Sequence, residues 1–487
     1  MHSRNGRKAT DVTGYMIIKV ILAVGVISTA FFLMWWYGLF LPRNHAWKNQ
    51  SFPYYDAVLT LKHRQLTLQA EDNPKQIYFT TDNDWFVQDV LVDDINRDGI
   101  EELVMLLYKH GSFGKHLPLW KKHNDISLGQ HLFIYQWDDT RQNRLRALWM
   151  SSELEEEIIS MHHGKNHGVL LENSRGEGKL WYYKGFGLKY AGLAEETEVS
   201  IVCAGDNLIS QGLLRDDLLK LYKNVKEEIG SYDLACVNQE TPLVKNRGEV
   251  RDYPRYASPL FVGDALCEAG FQIVTLANNH ILDQGAYGLQ TTLHYLQDQK
   301  DMICLGVHDV SDESAADFRS GVTFIEKNGI VLALLNATYG TNGMTIKEAP
   351  YVVERLSEEE RLIKQIEYAK GRSDAVLLFA HFGTEYERSP DEEQTRLCNL
   401  FLSYGVDVVI GTHPHVLQPY EMLTKGDRKM LVYYSLGNLL AMQKGADTKQ
   451  GGLAEFVIRK DASGNVSICD YSLKKTKINA SYVIELE

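Results

Sequence analysis

Six short apolar runs in the second half of the chain each stop at a residue of the metal-ligand type. Residues 199–204 lead to Gly205 and Asp206, 234–237 to Asn238, Gln239 and Glu240, and 271–277 to Asn278, Asn279 and His280. Residues 375–380 lead to His381, 406–410 to Gly411-Thr412-His413-Pro414-His415, and 431–436 to Gly437 and Asn438. Runs of about four to eight apolar residues fit buried strands and are short for helices. In open α/β sheets, sites form outside the carboxyl ends of the strands. The pattern therefore predicts one sheet edge carrying an Asp, a Glu, an Asn and several His.

Helical patterns over 213–229, 285–298 and 358–369 alternate with these runs, which argues for an α/β fold. A length of 487 residues leaves room for about three domains. The net charge of −13 argues against a general nucleic-acid surface. An anionic ligand would have to be held locally, by metal or by a few Lys and Arg. The cysteines are Cys203, Cys236, Cys267, Cys304, Cys398 and Cys469; no CxxC pair is present, which excludes a zinc ribbon. Cys203 and Cys236 fall inside predicted strands and read as small buried hydrophobes. A disulfide stays open if this part is exported.

Residues 15–41 form the one long apolar stretch, with Lys19 as its only charge. It exceeds the roughly 20 residues needed to cross a bilayer. Trp35, Trp36 and Tyr37 sit where an interfacial aromatic belt would lie, and Arg4, Arg7 and Lys8 precede the stretch. The expectation is a single-pass protein of the cell membrane, with a cytoplasmic tail over 1–14, a transmembrane helix over 15–41 and the main domains extracytoplasmic.

Residues 42–195 read as a small β-rich domain, with strand-like clusters at 76–80 and 131–137. His162, His163 and His167 lie in a polar, Gly-containing stretch that reads as a surface loop. Residues 191–198 read as an acidic linker. Within the β-rich region, Asp94, Asn96 and Asp98 precede Gly99, and Glu102 follows. Oxygens at alternate positions around a turn glycine suit Ca²⁺, although no Glu completes an EF-hand. A solvated Asp/Gly turn is the plain alternative. These residues resemble the Asp-x-Asn-x-Asp-Gly loops of FG-GAP/VCBS-type repeats, and residues 181–187 resemble the end of a degenerate second one.

His413 and His415 are two apart; in extended backbone such positions face the same side, and Pro414 narrows the conformations available. Two imidazoles held together after a buried strand suit one metal or two adjacent ones. Together with Gly205-Asp206, Asn238-x-Glu240-x-Pro242, Asn278-Asn279-His280-x2-Asp283, His381-x-Gly383-x-Glu385-Tyr386 and Ser435-Leu436-Gly437-Asn438, they resemble the CapA family. These are capsule-synthesis proteins of the calcineurin-like metallophosphoesterase superfamily. The resemblance spans about residues 197–442 and implies a sandwich of two central sheets flanked by helices over 196–487.

The resemblance also implies roles. Asp206 and His415 would ligate a first divalent metal, Glu240 would bridge, and Asn279, His381 and His413 would ligate a second. The metals would be Mn, Fe or Zn, one or two in number. His280 would protonate a leaving oxygen or steady the substrate anion. Read without the resemblance, His280 also suits a turn-capping role, Glu240 an ion pair with Arg251 or Arg255, and Asn438 a plain turn. Tyr256, Arg255 and Glu385 are further candidates to touch substrate.

One departure matters. Superfamily phosphoesterases carry Asp-x-His in the first motif, and here Asp206 is followed by Asn207 and Leu208. CapA relatives share the lack, so it bears on turnover and not on the family. The resemblance implies synthesis, export or attachment of an anionic capsule polymer such as poly-γ-glutamate, through hydrolase-type metal chemistry. The alternative is a non-catalytic polymer-binding or assembly subunit working with membrane synthase subunits. Neither reading involves nucleic acid. A dinucleotide-binding domain is disfavoured, since residues 205–210 lack GxGxxG.

Overall fold

Side chains alternate along the strand Thr197–Asn207, as the two-residue period of extended backbone requires. Val199, Ile201 and Cys203 enter one apolar layer, and Val202 and Ala204 enter another. In this computed structural model, which describes residues 7–39, 41–43, 45–114, 121, 123–214, 218–311, 317–346 and 350–487, that strand is central to an eight-stranded sheet. Parallel Leu234–Gln239, Ile273–Thr275 and Ile303–Leu305 follow on one side. Antiparallel Gln450–Lys460, Val466–Ile478 and Ile484–Leu486 follow on the other.

A second sheet of six strands has Ile330–Thr338, Ala375–His381, Val408–Thr412 and Arg428–Tyr433 in parallel at its centre. The sheets face each other across Ile201, Cys203, Cys236, Leu334, Leu377, Ile410 and Tyr433. Helices Phe261–Ala269 and Gly285–His294 cover the outside of the first sheet. Helices Glu359–Lys370 and Glu392–Tyr404 cover the outside of the second. The last of these starts at a capping box, Asp391 accepting from the Gln394 amide, and stops at Gly405 in left-handed backbone.

The single sheet expected from the apolar runs is therefore two. Residues before Asp206, Glu240 and Asn279 lie in the first, and those before His381 and His413 in the second. Run length and polarity are the same in both sheets, so local pattern does not separate them. The helix expected over 213–229 is also corrected. Short turns at Gln211–Leu213 and Leu218–Leu221 and a four-residue helix Lys226–Ile229 replace it. Leu218, Leu221, Tyr222, Val225 and Ile229 still all reach the outer layer, which explains the misleading spacing. All six cysteines are free.

Residues between Gln50 and Leu193 form three four-stranded antiparallel sheets, each a consecutive meander. His162 and His163 belong to the strand Ile158–Gly164, and only His167 lies in the adjoining turn, so the expected surface loop is smaller than its sequence suggests. This β-rich part docks against elements of both sheets. Buried Arg372 holds Glu101 through Nε–Oε1 at 2.6 Å and Nη2–Oε2 at 2.7 Å. Lys460 Nζ reaches Asp374 at 2.8 Å and donates to the His163 carbonyl at 2.6 Å.

The expected transmembrane segment is overturned. No helix among the described residues is long and apolar enough to cross a membrane, so the single-pass placement, with its membrane partner over 15–41, loses its basis. The helix Arg7–Trp36 ends before the stretch does. Its last aromatics pack on protein, with Trp36 stacked on His110 at 4.3 Å between ring centres and Trp35 beside it at 4.5 Å. Leu41 is buried against Phe86 and Tyr108. The apolar end of the run is thus spent on docking to the β-rich part. Of the expected cytoplasmic tail, residues 1–6 lie outside the described residues.

Candidate metal centre

The carboxyl ends of the parallel strands of both sheets meet at one place. Glycines allow the approach: a Cβ on Gly205 would collide with the Gly437 carbonyl, and one on Gly411 with the Tyr434 carbonyl. Asp206, at the end of Thr197–Asn207, is fully buried. Its Oδ1 accepts from Asn238 Nδ2 at 2.7 Å and its Oδ2 from the His413 amide at 3.2 Å. Asp206 Oδ2 also lies 3.2 Å from His415 Nδ1, although the two residues come from different sheets.

Glu240 occupies the centre. It is fully buried, and neither carboxylate oxygen has a hydrogen-bond partner. His381 Nε2 and His415 Nε2 each stand 3.8 Å from its Oε1. Arg251 donates instead to the carbonyls of Gly248 and Val250, so that ion-pair alternative is absent. Ligand atoms fall into three groups, each within 4.8 Å: Asp206, Glu240 and His415; Glu240, His381 and His413; and Glu385, His413 and His415. Two groups share Glu240. Asn279 Oδ1 completes the cluster 3.0 Å from His381 Nε2.

Burial and the closeness of these groups set the electrostatics of the cluster. Burial and the neighbouring Asp206 push the Glu240 carboxyl well above its ordinary range. Burial, with His413 and His415 nearby, holds the His381 imidazole well below its own. Burial and His415 likewise bring His413 down to about 3. His415 is opposite: burial disfavours its charge, but Glu240 and Asp206 overcome that and hold it at about 9. A buried carboxylate with no donors and an unpartnered His413 Nδ1 are costly without a ligand. The donor set of carboxylate, imidazole and amide oxygen suits a divalent transition metal. The residues present fit one.

Outer contacts orient these side chains. His415 Nδ1 faces Asn438 Oδ1 at 3.1 Å as well as Asp206, so it carries a proton and leaves Nε2 toward Glu240. His381 Nδ1 meets the Thr412 hydroxyl at 2.9 Å, which can give or take a proton. His280 Nδ1 lies 2.7 Å from Asp283 Oδ2, and that oxygen also accepts from the Tyr256 amide. His280 Nε2 is left as its reactive atom, and Tyr256 packs edge-on against the ring.

The His413–His415 segment is not the extended backbone expected. His413 has φ 101° and His415 φ 59°, left-handed values that non-glycine residues rarely adopt. Such strain, of order 1–3 kcal/mol per residue, gathers at functional sites. It separates the two rings, 6.0 Å between centres, toward different partners.

Asn238, Thr412, Asp283 and Tyr339 had no assigned role in the sequence reading. Tyr339 packs tilted against His413, 4.6 Å between ring centres, and follows the strand Ile330–Thr338, a seventh apolar run with a polar end. That run was the available signal for it. The calcium candidates lie apart from this centre, between the strands Trp85–Asp93 and Glu102–His110. There Asp94 accepts from the amides of Asp98 and Gly99, and Asn96 Nδ2 donates to Asp98 and Glu102. Buried Glu102 is pushed up to about 8, chiefly by burial.

A family model described as "Bacterial capsule synthesis protein PGA_cap" matches residues 200–443, the stretch that supplies every residue of this centre. The chain is 26% identical over 302 residues to the PGA biosynthesis protein CapA of Bacillus subtilis, covering 58% of this chain and 76% of that one. It is 29% identical over 217 residues to the capsule biosynthesis protein CapA of Bacillus anthracis, covering 43% of this chain and only half of that relative's length, 50%. Among solved structures, the NAD nucleotidase NadN of Haemophilus influenzae overlays 60% of this chain and 54% of its own. Its identity of 12% and TM-score of 0.36 are too low to carry an argument.

Proposed function

Because the chain belongs to the bacterial capsule synthesis protein family PGA_cap, we propose that it acts in the synthesis, export or attachment of an anionic capsule polymer such as poly-γ-glutamate, through a divalent-metal site with hydrolase-type chemistry. The observation that carries the metal reading is Glu240: a buried carboxylate whose two oxygens lack donors, set among His381, His413, His415 and Asp206. Asp206, Glu240 and His415 would hold one Mn, Fe or Zn ion, and Glu240, Asn279, His381 and His413 a second. A divalent cation bound there polarises an anionic carbonyl or phosphoryl centre as a Lewis acid.

The chain's own groups supply the rest. Asp283 fixes the His280 ring through Nδ1, which would aim Nε2 at a leaving oxygen as the proton donor. Tyr256 and Tyr339 flank the His residues and limit water around them. Asn438 and Thr412 keep the imidazoles oriented. The Asp94–Glu102 loop is proposed as a separate Ca²⁺ site, carried by its converging oxygens.

The second reading, a non-catalytic polymer-binding or assembly subunit of a polymer synthase complex, is favoured by one observation. Leu208 stands where phosphoesterases of the superfamily carry His, and it is buried with Tyr256 and Ala441. Metal analysis of the purified protein tests the centre. Bound Mn, Fe or Zn that disappears in His415→Ala supports it, and a wild-type protein that takes up none sinks it. Turnover of polyglutamate or phosphoester panels by the metal-loaded protein separates enzyme from assembly factor; loaded but inert protein would count for the second reading.

A further inference from the structure

The loop after the strand Ala375–His381 is fastened to the His413–His415 turn, to the segment just beyond it and to the following helix. The Tyr386 amide donates to the Pro414 carbonyl at 2.8 Å. Gln418 Nε2 donates to the carbonyls of Glu387 and Ser389 at 3.0 and 3.1 Å. Thr384 Oγ1 donates to Asp391, the cap of the following helix, at 2.9 Å. Tyr386 itself is held at φ 66°. Glu385 therefore sits on a pinned turn, with a carboxylate oxygen grouped within 4.8 Å of the ligand nitrogens of His413 and His415.

Two facts make this placement more than a surface carboxylate. His413 is buried at 3% exposure, and its Nδ1 has no hydrogen-bond partner. Leu208, in the position that would supply a His, is buried in an apolar contact and offers no ligand. The Asp206, Glu240 and His415 set is one donor short without that His, and the Glu385 carboxylate is grouped with His415. We infer that Glu385 is a metal ligand, closing the coordination of a divalent cation at the His413–His415 turn from the solvent side in place of the absent His. This rests on the metal-centre reading above.

A ligand on the exposed rim has a functional consequence. Asp206, Glu240 and His381 are sealed inside, and Glu385 is the exposed acidic residue among the grouped ligands. It is the donor an incoming anionic chain can displace, so it would couple substrate entry to cation exposure.

Calorimetric titration of the full chain with Mn²⁺, and the visible spectrum of the Co²⁺-loaded protein, test this. Glu385→Gln keeps the shape and removes the charge. Loss of even an outer partner of a metal ligand costs about 10–100-fold in affinity, so Glu385→Gln should weaken one cation equivalent at least about ten-fold. It should also change the Co²⁺ band intensity, while melting in chelator stays unchanged. Glu387→Gln, two residues on in the same loop, should behave as wild type. Glu385→Gln with wild-type affinity and spectrum overturns the inference and leaves the metal centre standing. A wild-type protein that binds no cation overturns both. Should Glu385→Gln melt early in chelator, Glu385→Asp decides: retained fold with a weakened equivalent supports the ligand role, and unaltered binding removes it.

Discussion

Replacing Glu240 by Leu should stabilise the metal-free protein and abolish its response to metal, so that the ranking of wild type and variant reverses between chelator and Mn²⁺. Without metal, the buried pit holds two carboxylates, Asp206 and Glu240, against one cationic imidazole, His415. Asp206 already pairs with His415 at 3.2 Å and accepts two further hydrogen bonds. Glu240 is surplus, with no donor within reach and its nearest imidazole nitrogens at 3.8 Å. A buried polar group left unsatisfied costs about 1–3 kcal/mol, and Leu removes both unpartnered oxygens. At about 2–4 °C per kcal/mol for a unit of this size, the α/β transition should rise by roughly 2–12 °C in chelator. Saturating metal at about 100 times its Kd adds about 2.7 kcal/mol to wild type and little to the variant. Differential scanning calorimetry in chelator and in Mn²⁺ reads both effects. A variant less stable than wild type in chelator, or equal metal shifts in the two proteins, would refute the account of Glu240 as a carboxylate buried for a cation.

Asp283→Asn should leave metal content unchanged and lower any measured turnover about 10²-fold, because the His280 ring loses the carboxylate that orients it; parallel loss of metal would move His280 into the ligand set. Glu354 is nearly buried, and although burial opposes its charge, His308 and Arg361 hold it from 4.5 down to about 2. Its folded value is depressed, so about 3 kcal/mol of stability is present above pH 4.5 and lost as pH falls from 4.5 toward 2. Glu354→Gln should flatten the acid limb of the unfolding curve in that window, and an unchanged limb would count against the ion pair. Arg372→Met should loosen the β-rich part from the second sheet by about 2–3 kcal/mol, since Glu101 loses a two-pronged partner while its side chain keeps 27% exposure. Limited proteolysis between the two parts reads this, and an unaltered cleavage rate would remove the pair from the docking account.

The sequence alone located the apolar strands that precede Asp206, Glu240, Asn279, His381 and His413. Strand periodicity and apolar run length are local properties, and Asp206, Glu240, Asn279, His381, His413 and His415 all carry their positions in the few residues before them. Only the tertiary structure decided which strand joins which of the two sheets that the family resemblance implies, that Asp206 pairs with an imidazole more than two hundred positions away, and that Tyr339 borders the pit. Those facts depend on which strand edges find each other, and edges of equal polarity and length carry no address. Left-handed backbone at His413 and His415 was equally hidden, because a strained φ is paid for by distant packing rather than by the residue itself. The apolar stretch 15–41 makes the same point in reverse: hydropathy measures how much surface must leave water, whereas the partner that covers Trp36 and Leu41 is set by the fold.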